Sequence, residues 1–130
     1  MNFQELQRHI ECSDVLNVER QLASESPSMV SSEDLEKLIT LLLDADDPNV
    51  AMEVVRWLEA TDLHDCAAAL VRVLVCGPDS ASFWLKALIN RMANIEAGQA
   101  ALKEVLCGLS QDDLLRASSR HERVRQLATR

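Results

Sequence analysis

The chain has 130 residues, enough for one domain whose core needs neither disulfides nor metal. It is 48% hydrophobic, rich in Leu, Val and Ala, with 3% aromatics, no Tyr, and only three Gly and three Pro, a balance that argues against disorder or an all-β fold. A net charge of −8 weighs against nucleic acid and anionic membrane as partners and favours a basic protein.

Apolar residues recur with a period of about 32: Leu6, Leu38, Leu70 and Leu102 at one phase, Ile10, Leu42, Leu74 and Leu106 at another, and Leu41, Val73 and Val105 at a third, where the first copy has His9. Such a period describes stacked helical hairpins, none of which can bury its own apolar face alone. The approximate repeats are 2–25, 31–60, 62–92 and 94–128 within a single domain, 1–130.

The first hairpin carries Leu6 and Ile10, then a second helix capped by Ser13 or Asp14 and lined by Val15, Val18 and Leu22. Ser24 to Ser32, with Pro27, reads as a loop. In the second hairpin Ser31 and Asp34 form a capping pair before Leu35, Leu38, Ile39 and Leu42, and Glu33 faces Lys37 at i,i+4. Asp47-Pro48 marks a helix start, with Asp as cap and Pro at the first position, followed by Val50, Val54 and Leu58.

The third hairpin opens at Asp62, with Asp65 three residues on, and runs through Leu63, Leu70, Val73 and Leu74 to Gly77-Pro78, where a left-handed glycine cap is expected. Its second helix starts at Asp79 or Ser80. Phe83, Trp84, Ala87, Leu88 and Met92 give it a broad apolar face, and it is expected to be the most enclosed helix. The fourth begins near Asn94; Ala101, Leu102, Val105 and Leu106 line its first helix, which Gly108 ends, Ser110 and Asp113 form a capping pair for the next, and Leu114, Leu115 and Leu127 are the last apolar anchors. Residues 118–125 are almost wholly polar, as suits a helix that covers the end of a stack.

Charge is uneven. Residues 1–115 hold 8 Lys/Arg against 20 Asp/Glu, whereas 116–130 hold five Arg and one Glu. The basic end is expected to complement the dipole of its own last helix turn; the alternative is an arm that docks on an acidic patch or a phosphate.

Catalytic chemistry is hard to assemble. The three glycines form no phosphate-cradling loop, and no Gly-x-Ser-x-Gly elbow is present. His64-Asp65-Cys66 cannot act together, because such neighbours point to different sides of a helix. His9 and Cys12 share a face, but two ligands make no metal site. Cys12, Cys66, Cys76 and Cys107 show no Cys-x-x-Cys spacing and read as small hydrophobes in packing positions. No catalytic residue, cofactor or metal is expected. The start has no signal-peptide pattern and no apolar run spans a bilayer, so the expectation is a cytoplasmic, non-enzymatic protein.

The repeat demotes its Leu-x-x-Leu-Leu strings to packing and leaves one turn that it does not require, Asp44-Ala-Asp46-Asp47. Asp46 and Asp47 suit a helix N-terminus, but Asp44 ends the preceding helix, where the dipole disfavours it. The expected partner-binding set is Asp44, Asp46, Asp47, Asn49, Glu53 and Trp57, with a solvated acidic face as the alternative and core packing as the competing role for Trp57.

Residues 41–50, Leu-Leu-Leu-Asp-Ala-Asp-Asp-Pro-Asn-Val, continuing through Val54-Val-Arg-Trp-Leu58, resemble a HEAT repeat. The likeness is weaker over 63–92 and 95–117 and marginal over 2–25; Gly77-Pro78 departs from the acidic turn, and Ala51 stands where the family has Arg. The resemblance implies an all-α, short right-handed α-solenoid of about four antiparallel hairpins, with seven or eight helices. In size, charge and fold the chain is also similar to bacterial immunity proteins, which implies neutralisation of a basic toxin, and to helical-repeat chaperones or adaptors of bacterial secretion systems. A homodimer through the weak first repeat is a further option.

Overall fold

Leu6, Ile10, Val18 and Leu22, at helical spacing and buried, set the pattern of the whole molecule: short amphipathic helices laid against one another around one leucine-rich core. The computed structural model describes residues 1–77 and 83–128. Among these are nine α-helices and no strand: α1 Phe3–Glu11, α2 Val15–Ala23, α3 Ser32–Leu43, α4 Pro48–Glu59, α5 Leu63–Cys76, α6 Phe83–Ala93, α7 Glu96–Cys107, α8 Gln111–Arg120 and α9 Glu122–Ala128. A single 3-10 turn, Pro27–Met29, occupies the serine-rich loop.

The helix starts follow side-chain capping. Asp14, not Ser13, caps α2 by accepting from the Asn17 amide; Ser31 accepts from Asp34, Asp47 from Asn49, Asp62 from Asp65 and Ser110 from Asp113. Asn94 does not cap α7. That place falls to Ile95, which has no capping side chain, and the Asn94 carboxamide oxygen instead accepts from the Arg123 guanidinium at 3.5 Å. The expected start of α6 at Asp79 or Ser80 lies outside the described residues.

Gly77 ends α5 with φ −77° and ψ 177°, an extended rather than left-handed conformation. Pro78 explains this, since a residue before proline is pushed out of the helical regions. Glycine is still required there, because a Cβ would overlap the Val73 carbonyl oxygen.

The odd-numbered helices form a row, α1 against α3, α3 against α5, and α5 against α7. Within hairpins α1 meets α2, α3 meets α4 and α5 meets α6, while α2 also packs on α4. The second row is less regular. α6 lies against α3, α5, α7 and α9, and reaches α4 through Arg91, whose guanidinium grips Glu59 at 2.8 and 3.0 Å; that ion pair raises the Arg91 pKa. α8 packs on α5 and α9, and α9 takes the place beside α7.

Three expectations are corrected by the packing. Among the described residues the helix count rises to nine, because the basic C-terminal segment breaks at His121, whose backbone is extended. The most enclosed helix is α5, flanked by α3, α7, α6 and α8, with eight buried residues; α6 leaves Phe83 72% exposed, set edge-on against Trp84. Leu115 is 63% exposed and anchors nothing, while Ala117 and Val124 hold α8 and α9 to the core alongside Leu127.

Candidate functional site

The acidic turn is built by two buried residues on either side of its carboxylates. Ala45 and Val50 both sink into the core, which fixes the short connection from α3 to α4 and leaves Asp44 and Asp46 facing solvent. Asp44 closes α3 as its C-cap, its amide donating to the Leu41 carbonyl at 3.2 Å. Asp47 is engaged: its carboxylate accepts from the Asn49 amide at 2.8 Å, and Pro48 occupies the first helical position, where no N–H is needed.

Four of the five other carboxylates of the same hairpin are matched by cations, Asp34 being the exception. Glu33 meets Lys37 at 3.6 Å, Glu36 meets Arg72 at 3.3 Å, Glu53 meets Arg56 at 3.2 Å, and Glu59 meets Arg91 at 2.8 Å. Among the described residues no cation lies within ion-pair distance of Asp44, Asp46 or Asp47.

Asn49, Glu53 and Trp57 follow at steps of four along α4. Eight residues overshoot two helical turns by roughly 80°, so the row drifts from surface to core. Asn49 is exposed and Glu53 half-buried. Trp57 is only 8% exposed, and its indole N–H is buried without an acceptor. The turn therefore brings together Asp44, Asp46, Asp47 and Asn49; Glu53 is already paired, and Trp57 belongs to the packing.

The chemistry-bearing residues elsewhere are dispersed. His64 is exposed, 3.8 Å from Glu104, while Cys66 points into the core, where burial pushes its thiol up to about 11 against the opposing hydrogen bond to Thr61. A thiol so raised supplies no thiolate near neutral pH. Cys12, Cys76 and Cys107 are exposed free thiols rather than packing residues. His9 is partly buried between Glu5 at 3.6 Å and Asp14 at 4.0 Å, and the Asn17 side chain holds the Asp14 carboxyl below its usual range. Among the described residues no group of three or more His, Cys, Asp or Glu is placed to hold a metal ion, and no helix is long and apolar enough to cross a membrane.

The basic C-terminal segment is folded onto the rest of the chain. Arg120 donates to the carbonyls of Leu74, Val75 and Gly77 at 2.7, 3.2 and 2.9 Å, closing the C-terminus of α5. Arg123 donates to the Ala93 carbonyl at 3.1 Å, closing α6. Both cations thus complement the dipoles of other helices, and Arg120, in the last turn of α8, also complements its own as expected. His121, 6% exposed, accepts from the amides of Arg123 and Val124 at Nδ1 and lies 3.4 Å from the Lys86 carbonyl at Nε2. These contacts define the neutral tautomer with the proton on Nε2. The sequence signals basic character here, but the acceptors lie 30 to 46 residues away and leave no local pattern.

Comparison with protein-family models, curated proteins and solved structures finds no match for this chain. The resemblance to HEAT repeats thus stands on the residues that carry it, chiefly 41–58.

Proposed function

We propose that the chain is a short HEAT-like right-handed α-solenoid that serves as a non-catalytic protein-binding module, neutralising a basic partner such as a toxin through the acidic end of its second hairpin. The row α1–α3–α5–α7 supports the solenoid reading, and the irregular packing of α6, α8 and α9 makes the C-terminal end its cap. The observation that carries the function is a contrast on one hairpin: Glu33, Glu36, Glu53 and Glu59 have cationic partners, whereas at its end Asp44 and Asp46 are exposed with none among the described residues and Asp47 has only its capping hydrogen bond. Asp34, the remaining carboxylate without a cation, is half-buried in the first turn of α3, where the helix dipole favours it. Exposed unmatched carboxylates cost little in water, steer a cationic partner and strengthen once desolvated against Lys or Arg.

The test is capture of partners by the immobilised chain at low and high salt. A small basic protein retained at low salt and released at high salt supports the reading. The second reading, a chaperone, adaptor or scaffold of a bacterial secretion or regulatory complex, draws on the exposed apolar side chains Leu16, Met29, Phe83, Ile95 and Leu115. It predicts capture that resists salt, since burial of apolar surface is strengthened rather than screened.

A further inference from the structure

His121 ties α9 to the rest of the molecule through both ring nitrogens. Its Nδ1 accepts from the amides of Arg123 and Val124 at 3.1 and 3.3 Å, and its Nε2 meets the Lys86 carbonyl of α6 at 3.4 Å. Nδ1 has a single lone pair, and a proton placed there turns the acceptor of two amides into a donor aimed at them. The side chain is 6% exposed, so water does not replace the lost acceptor while α9 stays in place. Opening the junction relieves the conflict and returns the imidazolium to water.

The charges around the ring act in the same direction. The charged groups lining the space beside it are Lys86 of α6, Arg120 of α8, and Glu122, Arg123 and Arg125 of α9. Arg120 donates to the carbonyls at the end of α5, and Glu122 meets Arg125 at 3.1 Å. Burial, then the Lys86 and Arg123 charges, hold the His121 pKa below its ordinary value, against the hydrogen bond to the Lys86 carbonyl. Among the described residues the histidines that meet carboxylates are His9 and His64.

α9 is also the element least able to hold itself. It has seven residues, and only Val124 and Leu127 are buried, whereas α5 buries eight. A helix so short is marginal in water without its packing. Leu127 and Ala128 share a small cleft with Leu106 of α7 and Leu114 of α8, which is where α9 seats. Segments with few buried apolar contacts open locally before the whole chain unfolds.

We propose that α9 is a proton-released flap: protonation of His121 at mildly acidic pH frees α9 from α6 and α7 while α1–α7 stay folded, uncovering Leu106 and Leu114. The flap shares no residue with the acidic turn, so it is independent of the partner-binding reading.

Native-state amide exchange of the full chain tests this, corrected for intrinsic rates between about pH 7 and 5, with and without low urea. Opening of the 123–128 amides should increase with acid, by at most about tenfold per pH unit, because one proton is taken up. It should respond weakly to urea, since a local opening exposes little surface, whereas opening of the α5 amides should increase steeply. In His121→Asn the dependence of the 123–128 amides on pH should vanish. Opening of α9 that is independent of pH in the wild type, that follows urea as steeply as α5, or that keeps its pH dependence in His121→Asn would overturn the proposal. The His121 imidazole shifts of the wild type should titrate over the interval in which α9 opens, and a midpoint outside it would also overturn the proposal, even if the variant fails to fold.

Discussion

Arg120 belongs to α8 by sequence and to the end of α5 by its contacts. A helix C-terminus leaves its last carbonyls without intrahelical donors, and one guanidinium here serves three acceptors, the carbonyls of Leu74, Val75 and Gly77. Hydrogen bonds from a charged donor contribute about 1.5–3 kcal/mol, so Arg120→Ala should cost about 2–3 kcal/mol in urea unfolding, whereas Arg116→Ala, on an exposed side chain, should stay within about 0.5 kcal/mol. Equal effects of the two would show that Arg120 contributes only charge.

His121 gives a second prediction at this scale. Burial, the Lys86 charge and the Arg123 charge hold its pKa below the ordinary 6.5, against the opposing hydrogen bond to the Lys86 carbonyl. A proton on Nδ1 would also remove the acceptor that caps α9. The unfolded chain therefore binds a proton that the native state refuses. The stabilisation is complete above pH 6.5 and is lost as pH falls below it towards the folded-state value. His121→Asn keeps a side-chain acceptor for the α9 amides but removes the titration. The drop in stability between about pH 6.5 and 5 should be shallower in His121→Asn than in the wild type, and identical slopes would exclude His121 as its source.

At the scale of elements, Gly98 shows how tertiary contact overrides propensity. It lies inside α7, where Gly→Ala ordinarily stabilises a helix by about 1 kcal/mol. A Cβ at this position would overlap the Met92 carbonyl oxygen at the end of α6. Gly98→Ala should thus destabilise by about 1–3 kcal/mol in thermal or urea unfolding; a gain in stability would mean that α6 and α7 can move apart. Local signals of this strength explain what was legible in the sequence. Asp47-Pro48, Asp62 with Asp65, and Ser110 with Asp113 each act within three residues, and each caps a helix where its pattern places it. Asn94 and the 118–125 stretch misled because their partners are remote: Asn94 is taken by Arg123, and the polar run conceals a buried histidine and a helix break. The candidate turn was legible for the same local reason, as a run of carboxylates between two caps. Glu53 and Trp57 were not separable from it, since only packing distinguishes a paired glutamate and a buried indole from exposed ones.

At the scale of the whole molecule, charge is sorted along the chain. Residues 1–115 carry a large acidic excess, and the last fifteen carry five arginines against one glutamate. Arg120 and Arg123 are folded onto the ends of α5 and α6, which leaves the acidic excess as the field that an approaching partner meets. The account centres on the unmatched carboxylates of residues 44–47. The most direct measurement compares capture of a basic partner by the wild-type chain and by Asp44→Lys with Asp46→Lys, from about 0.05 to about 0.5 M salt. Asp47 is spared because it caps α4, so the pair reverses charge while stability should stay within about 0.5 kcal/mol. The account predicts salt-sensitive capture by the wild type and its loss in the variant; equal capture by both, at every salt concentration, would contradict it.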